Sequence, residues 1–187
     1  MLVRGKRFSI LGAGRSGLAV ARLLKTRRAK VFLSESGSGP QLAETLRELD
    51  AIGVEYEVGG NTHRALEADY LVLSPGVPMT APIVKLAAES GLKIIGEIEV
   101  AFDQCEAPVL AITGTNGKTT TTTLLGEIMK HAGWQTSVAG NIGRPFADVV
   151  DEAKGERAVV VLEVSSFQLD TIDTFRPKVS AILNITP

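Results

Sequence analysis

Lys118, between Gly117 and a run of five threonines at 119–123, is the side chain best placed to do chemistry in this chain. With Gly114, Thr115, Asn116 and Thr119 it spells Gly-x-x-Gly-Lys-Thr. The usual phosphate loop is Gly-x-x-x-x-Gly-Lys-Ser/Thr, and Ile112 stands where its first glycine falls. Such a loop needs inward backbone N–H groups, a helix N-terminus behind them and one flexible cation. "VLAIT" before the loop reads as a strand and "TTTTLLGEIMKHAG" after it as a helix closed by Gly133, which is the required setting. The bland reading is a Gly-Asn turn carrying a surface lysine. In the functional reading, residues 114–120 cradle phosphates, Lys118 reaches the terminal ones, Thr119 binds Mg²⁺ and Thr120 touches a phosphate. Glu163 ends the apolar run "AVVVLE", where a carboxylate beside the loop can share the metal; the alternative is an ordinary strand-end acid.

A second glycine cluster, "GAGRSG" at 12–17, is a full Gly-x-Gly-x-x-Gly between a strand ("RFSIL") and a helix ("LAVARLLKTRR"). Glu35 ends the next strand, at the spacing used to bind a ribose hydroxyl. "LSPGVP" at 73–78 ends the fourth strand on the same edge, so Ser74, Pro75 and Gly76 can approach the same ligand. Structural turns are the competing reading at both places. Two nucleotide-like sites in series leave three classes open. A NAD-dependent oxidoreductase needs the first site only. A non-catalytic nucleotide-binding module would hold ATP without using it. A ligase that activates a carboxylate with ATP, on a substrate carrying its own nucleotide, needs both.

The elements that must position these residues alternate strand and helix along the chain, which implies parallel sheets covered on both faces. The pattern runs once to "KIIG" and restarts at "PVLAITG"; the acidic stretch "EIEVAFDQCEA" before Pro108 reads as a join. The expectation is an α/β chain: a Rossmann-like parallel-sheet domain at 1–96, then an incomplete phosphate-loop α/β ATPase-type domain at 97–187. The second sheet stops at Pro187, directly after an apolar strand, so a longer protein is expected, with residues 1–187 inactive alone.

Composition narrows the class. At 44% hydrophobic, 22% charged and net charge −1, the chain is an ordinary globular protein with no electrostatic pull toward nucleic acid. "KTRR" at 25–28 reads as the basic last turn of a helix. Cys105 is the single cysteine, which excludes an internal disulfide and fits a reducing cytoplasm. No apolar run approaches the length of a membrane span. His63 reads as a loop residue and His131 as a helix-end residue.

"GAGRSGLAVARLL", "LSPGVP", "AITGTNGKTT", "AGNIGRP" and "LEVSSFQLD" occur in the order in which the Mur ligases carry them, over almost the whole chain. "SSFQLD" and the first glycine turn resemble the members that add D-glutamate. The resemblance implies ATP-dependent amide formation in peptidoglycan synthesis, with ATP and Mg²⁺ as cofactors. UDP-N-acetylmuramoyl-L-alanine and D-glutamate would be the substrates, and the enzyme a cytoplasmic monomer without nucleic-acid or membrane partners. It implies that Gly114, Thr115, Asn116, Gly117, Lys118, Thr119 and Thr120 bind ATP, with Lys118 and Glu163 catalytic and Thr119 and Glu163 on the metal. Arg15, Ser16, Glu35, Ser36, Ser74, Pro75 and Gly76 would hold the uridine diphosphate, with Asn141, Ser165 and Gln168 beside the muramoyl group.

Overall fold

The computed structural model describes residues 3–141 and 143–186. Pro187, where the sequence stops, and Ile142, inside "AGNIGRP", lie outside them. Two parallel sheets follow one another. In the first, β1 (Arg7–Leu11), β2 (Lys30–Glu35), β3 (Glu55–Val58), β4 (Tyr70–Leu73) and β5 (Lys93–Gly96) pair in the order β3-β2-β1-β4-β5. Helices α1 (Arg15–Thr26), α2 (Ala43–Ala51) and α3 (Pro82–Glu89) cover it. The direction of winding reverses between β1 and β4, which opens a crevice at their carboxyl ends. The glycine turn after β1 and the Ser-Pro-Gly turn after β4 meet there: Ser74 N donates to Leu11 O (3.1 Å) and Ser74 Oγ to Gly12 O (3.2 Å).

After α4 (Glu97–Gln104) come β6 (Val109–Thr113), α5 (Lys118–His131), β7 (Gln135–Gly140), α6 (Phe146–Val149), β8 (Ala158–Glu163), α7 (Ser166–Leu169) and β9 (Val179–Ile182). Their strands pair in the order β7-β8-β6-β9, all parallel. Every residue of β8 is buried, as expected of a strand flanked on both sides and covered on both faces. This central position carries Glu163 to the strand tip directly beside Ile112 of β6.

The acidic stretch read as a join is instead α4, and it is packed. Ile98, Val100 and Ala101 are fully buried in one apolar cluster that also holds Leu18, Leu24, Phe146, Val149 and Leu162. Two of the four acids in this stretch, Glu97 and Glu99, are buried. Glu99 accepts from the backbone N–H groups of Asp173 (2.7 Å), Thr174 (2.9 Å) and Phe175 (2.6 Å) and from Thr174 Oγ1 (2.8 Å). These donors hold its carboxyl below the usual range against the opposing effect of burial. Three arginines of α1 and its C-terminal cap add surface ties: Arg15 donates to Gly143 O, Arg22 pairs with Asp148 and Glu48, and Arg27 pairs with Asp151. Such exposed pairs contribute roughly 0–1 kcal/mol each, so the buried apolar cluster carries the packing.

Glu97 behaves oppositely to Glu99. Burial pushes its carboxyl up to about 7, with one hydrogen bond from Gln168 opposing. A carboxyl raised on folding contributes stability that is complete below its unfolded value and lost as pH rises through the folded one. Unfolding free energy should therefore fall between about pH 4.5 and 7.5 by roughly 3 kcal/mol on this account. Denaturant titrations across that range check it: Glu97→Gln should flatten the fall, and an unchanged slope would remove Glu97 as its source.

Candidate functional site: two clefts that meet at Asn141 and Pro75

The phosphate-loop candidate forms as its residue types demand. Gly114 has φ +139° and Gly117 φ +82°, backbone that glycine adopts without strain. Gly117 caps α5 with no side-chain help, so the first N–H groups of the helix stay available. Lys118 folds back over the loop, its Nζ donating to Gly114 O (2.6 Å) and Thr115 O (2.9 Å). The threonines enter the helix despite their modest propensity, because the fold sets the turn; Asn116, Gly117, Thr119 and Thr120 stay exposed at its mouth.

Glu163 is buried beside the loop and bonded at both oxygens. Thr119 Oγ1 donates to Oε2 (2.9 Å) and Asn141 Nδ2 to Oε1 (2.9 Å). Asn141 N also donates to Glu163 O (2.9 Å), and Gly140 pairs with Glu163 across β7 and β8. The sequence placed Thr119 and Glu163 on one metal and Asn141 elsewhere; the fold brings all three into contact. Among the described residues no group of three His, Cys, Asp or Glu could hold a metal. The donor set here is a hydroxyl and a carboxylate, hard oxygens that suit Mg²⁺ completed by phosphate and water.

The sequence missed Asn184. Its side chain accepts from Asn116 N (2.9 Å) and donates to Asn116 O (3.0 Å), and its carbonyl accepts from Thr115 N (3.0 Å). It clamps the loop from just beyond β9. It lies 68 residues from its partner. No local pattern could have shown that; the only hint was a polar residue soon after an apolar strand.

At the first sheet, Arg15, Ser16, Glu35, Ser36, Ser74, Pro75, Gly76 and Asn141 line one cleft of about 580 Å³. Gly17 lets α1 start hard against the turn, since a Cβ there would lie 2.0 Å from Gly12 O. Glu35 does more than face the cleft: it accepts from Ala13 N (2.7 Å) and Gly37 N (2.6 Å), fixing the glycine turn. Arg15 is committed to Gly143 O (3.1 Å), so it shapes the mouth between the sheets. A second cleft of about 630 Å³ is lined by Gly114, Thr115, Lys118, Ser165, Ser166 and Phe167. Pro75 and Asn141 border both, so the two clefts share a wall. Gln168 lines neither. It completes a capping box with Ser165 and is buried against Glu97. The Ser-x-x-Gln spacing at 165–168 is the sequence signal that would have revealed α7.

Two family descriptions match this arrangement. Residues 6–96 match the Mur ligase MurD-like N-terminal domain, and residues 112–187 the Mur ligase middle domain. The chain belongs to the Mur ligases. Among curated relatives of this Mur ligase chain, the UDP-N-acetylmuramoylalanine–D-glutamate ligase of Salinibacter ruber is 53% identical over 190 residues, covering 99% of the chain and 41% of that protein. The ligase of the same name from Pelotomaculum thermopropionicum is 50% identical over 183 residues, covering 97% of the chain and 40% of that protein. The chain thus spans about 40% of the length of the curated relatives it matches. Among solved structures, a murein peptide ligase from Psychrobacter arcticus (TM-score 0.60, 20% identity) covers 97% of this chain and 43% of that one. The UDP-N-acetylmuramate-alanine ligase MurC of Thermotoga maritima (TM-score 0.55, 21% identity) covers 96% and 41%. These two support the Mur ligase fold. No helix among the described residues is long and apolar enough to cross a membrane.

Proposed function

We propose that this chain supplies the nucleotide-substrate and ATP-binding parts of a ligase that joins D-glutamate to UDP-N-acetylmuramoyl-L-alanine in peptidoglycan synthesis. The observation that supports the reading is the shared wall at Asn141 and Pro75, which sets the cleft beside the first glycine turn next to the cleft that holds Lys118. An oxidoreductase has no use for the second cleft. Residues 1–96 would serve the uridine nucleotide and 97–187 the ATP, and the ligase would act as a cytoplasmic monomer.

A carboxylate resists an amine because it is anionic and lacks a leaving group. Transfer of the ATP γ-phosphate gives an acyl phosphate, which the D-glutamate amine attacks with loss of phosphate. The backbone amides of residues 114–120 orient the phosphates. Lys118 leaves its two carbonyls to meet charge on the transferring group, which is where stabilisation lowers the barrier. Thr119 and Glu163 would hold Mg²⁺, with Asn141 fixing the carboxylate's rotation. Bound there, Mg²⁺ supplies further electrostatic stabilisation of the phosphoryl oxygens. Arg15, Ser16, Glu35, Ser36, Ser74 and Gly76 would hold or shape the diphosphate cleft, and Asn141 and Ser165 would meet the muramoyl group. Gln168 would act there through Ser165.

The test is phosphate release by the longer ligase containing this chain, supplied with ATP, Mg²⁺, UDP-N-acetylmuramoyl-L-alanine and D-glutamate. Release that requires all of them supports the reading. ATP binding without release would favour a binding module, and NADH competing with the UDP-sugar would favour an oxidoreductase. Within this scheme Asn184→Ala should weaken Mg·ATP binding about tenfold, the value of one or two lost loop hydrogen bonds. Calorimetric titration checks it; unchanged affinity would make the clamp incidental.

A further inference from the structure

Residues 96–99 grip residues 168–175 at points that share one direction. Gly96 N donates to Thr171 O (3.1 Å), and a Cβ at 96 would lie 2.3 Å from Thr171 Oγ1, so any larger residue there would turn the Thr171 hydroxyl aside. Glu97 Oε1 accepts from Gln168 Nε2 (2.6 Å), with both side chains buried. Gln168 Oε1 in turn accepts from Ser165 N (2.9 Å) and Ser165 Oγ (3.1 Å), while Ser165 Oγ accepts from Gln168 N (3.3 Å). A continuous line of hydrogen bonds therefore runs from α4 at the edge of the first sheet to Ser165, two residues past Glu163.

The position of α7 gives that line a consequence. Its first residues, with Ser165, wall the cleft that holds Lys118. Its far side, with Gln168 and Thr171, walls a separate cavity under the Ser74-Pro75-Gly76 turn. A helix of four residues has little stability of its own. Its orientation has to come from what holds it, and Gln168 is the buried residue that does so. Glu97 Oε2 has less than 1 Å² of accessible surface and no partner among the described residues, so no ligand reaches it; the side chain acts inside the wall.

We propose that Glu97 is a positioning residue for the ligation, holding Gln168 and through it Ser165 where it would meet the muramoyl group. This rests on the ligase reading above. Gly96 and Glu97 stand where the first unit passes into the second, so this junction sets one wall of the cleft that holds Lys118. The requirement is for an acceptor at Oε1, and glutamine supplies one as well as glutamate.

Steady-state kinetics of the longer ligase test it with Glu97→Ala and Glu97→Gln. In Glu97→Ala the KM for UDP-N-acetylmuramoyl-L-alanine should rise about tenfold, while kcat and the KM for ATP change less than about threefold, because a ground-state contact is lost. Glu97→Gln should restore the muramoyl KM. An unchanged muramoyl KM in Glu97→Ala, an equal rise in both KM values, or failure of Glu97→Gln to rescue would each overturn the proposal. If Glu97→Ala does not fold, Gln168→Glu makes the same bond depend on pH without opening a cavity. It sets two carboxyls face to face, so its muramoyl KM should climb as pH rises from about 6 to about 8.5, where repulsion replaces a shared proton; a flat profile would overturn the proposal. A wild-type ligase with no turnover defeats the parent reading and this one with it, whereas normal turnover with an indifferent Glu97→Ala defeats this one alone.

Discussion

Lys118→Ala in the longer ligase should lower turnover by about two to three orders of magnitude, equivalent to roughly 3–4 kcal/mol of barrier, with the fold retained. The loop geometry gives the reason. The ammonium donates to Gly114 O and Thr115 O, at 2.6 and 2.9 Å, which holds it directly over the loop. Its removal leaves two carbonyls of an exposed loop to water, which costs little stability. It also removes the mobile positive charge next to the transferring group, where no other lysine or arginine among the described residues lines the cleft. Phosphate-release assays check the rate, and circular dichroism with thermal melts checks the fold. Near-normal turnover would take Lys118 out of the mechanism and leave the loop as a turn.

What the sequence reveals and hides here follows from range. Buried parallel strands are apolar runs, so β1, β4, β6 and β8 are visible as such, and the glycine turns after β1 and β6 are visible because backbone of this shape needs glycine. Glu163 is legible as a strand-end acid. Its ties to Thr119 and Asn141 span 44 and 22 residues and become visible only once β6, β7 and β8 are side by side. The acids at 97 and 99 show the opposite failure. Alone they resemble a solvated linker, since charge is costly to bury. They are buried because donors from 168–175 come to meet them, and those donors belong to a connection with no periodicity of its own. Helices α6 and α7 are four residues each, too short for a 3.6-residue repeat to appear. Arg15 and Glu35 were legible as cleft residues but not as the groups that close the turn and tie it to Gly143. The chemistry-bearing types were readable one by one; the common wall that Asn141 and Pro75 give the two clefts is a property of packing.

Gly140→Ala should cost about 4 kcal/mol or more of stability and disable phosphoryl transfer in whatever protein remains folded. Gly140 ends β7 with φ +114°, where an alanine is strained by about 1–3 kcal/mol. Steric contact costs more than this strain. The added Cβ would lie 2.1 Å from Glu163 O and 3.0 Å from both Glu163 C and N. These are backbone atoms of a central, fully buried strand, so no side-chain rotation relieves the clash. The end of β7 has to move away from β8. That movement breaks Asn141 N to Glu163 O and Asn141 Nδ2 to Glu163 Oε1, the bonds that fix the carboxylate facing Thr119. Gly143→Ala is the control: its φ of +64° is also left-handed, but no atom lies within 4 Å of its added Cβ. It should cost only about 1 kcal/mol and spare Mg²⁺-dependent turnover. Chemical denaturation of both variants, with Mg²⁺ titrations of their phosphate release, separates strain from approach. If the two glycines prove equally sensitive, the close packing of Gly140 on Glu163 is not what holds the metal-side carboxylate in place.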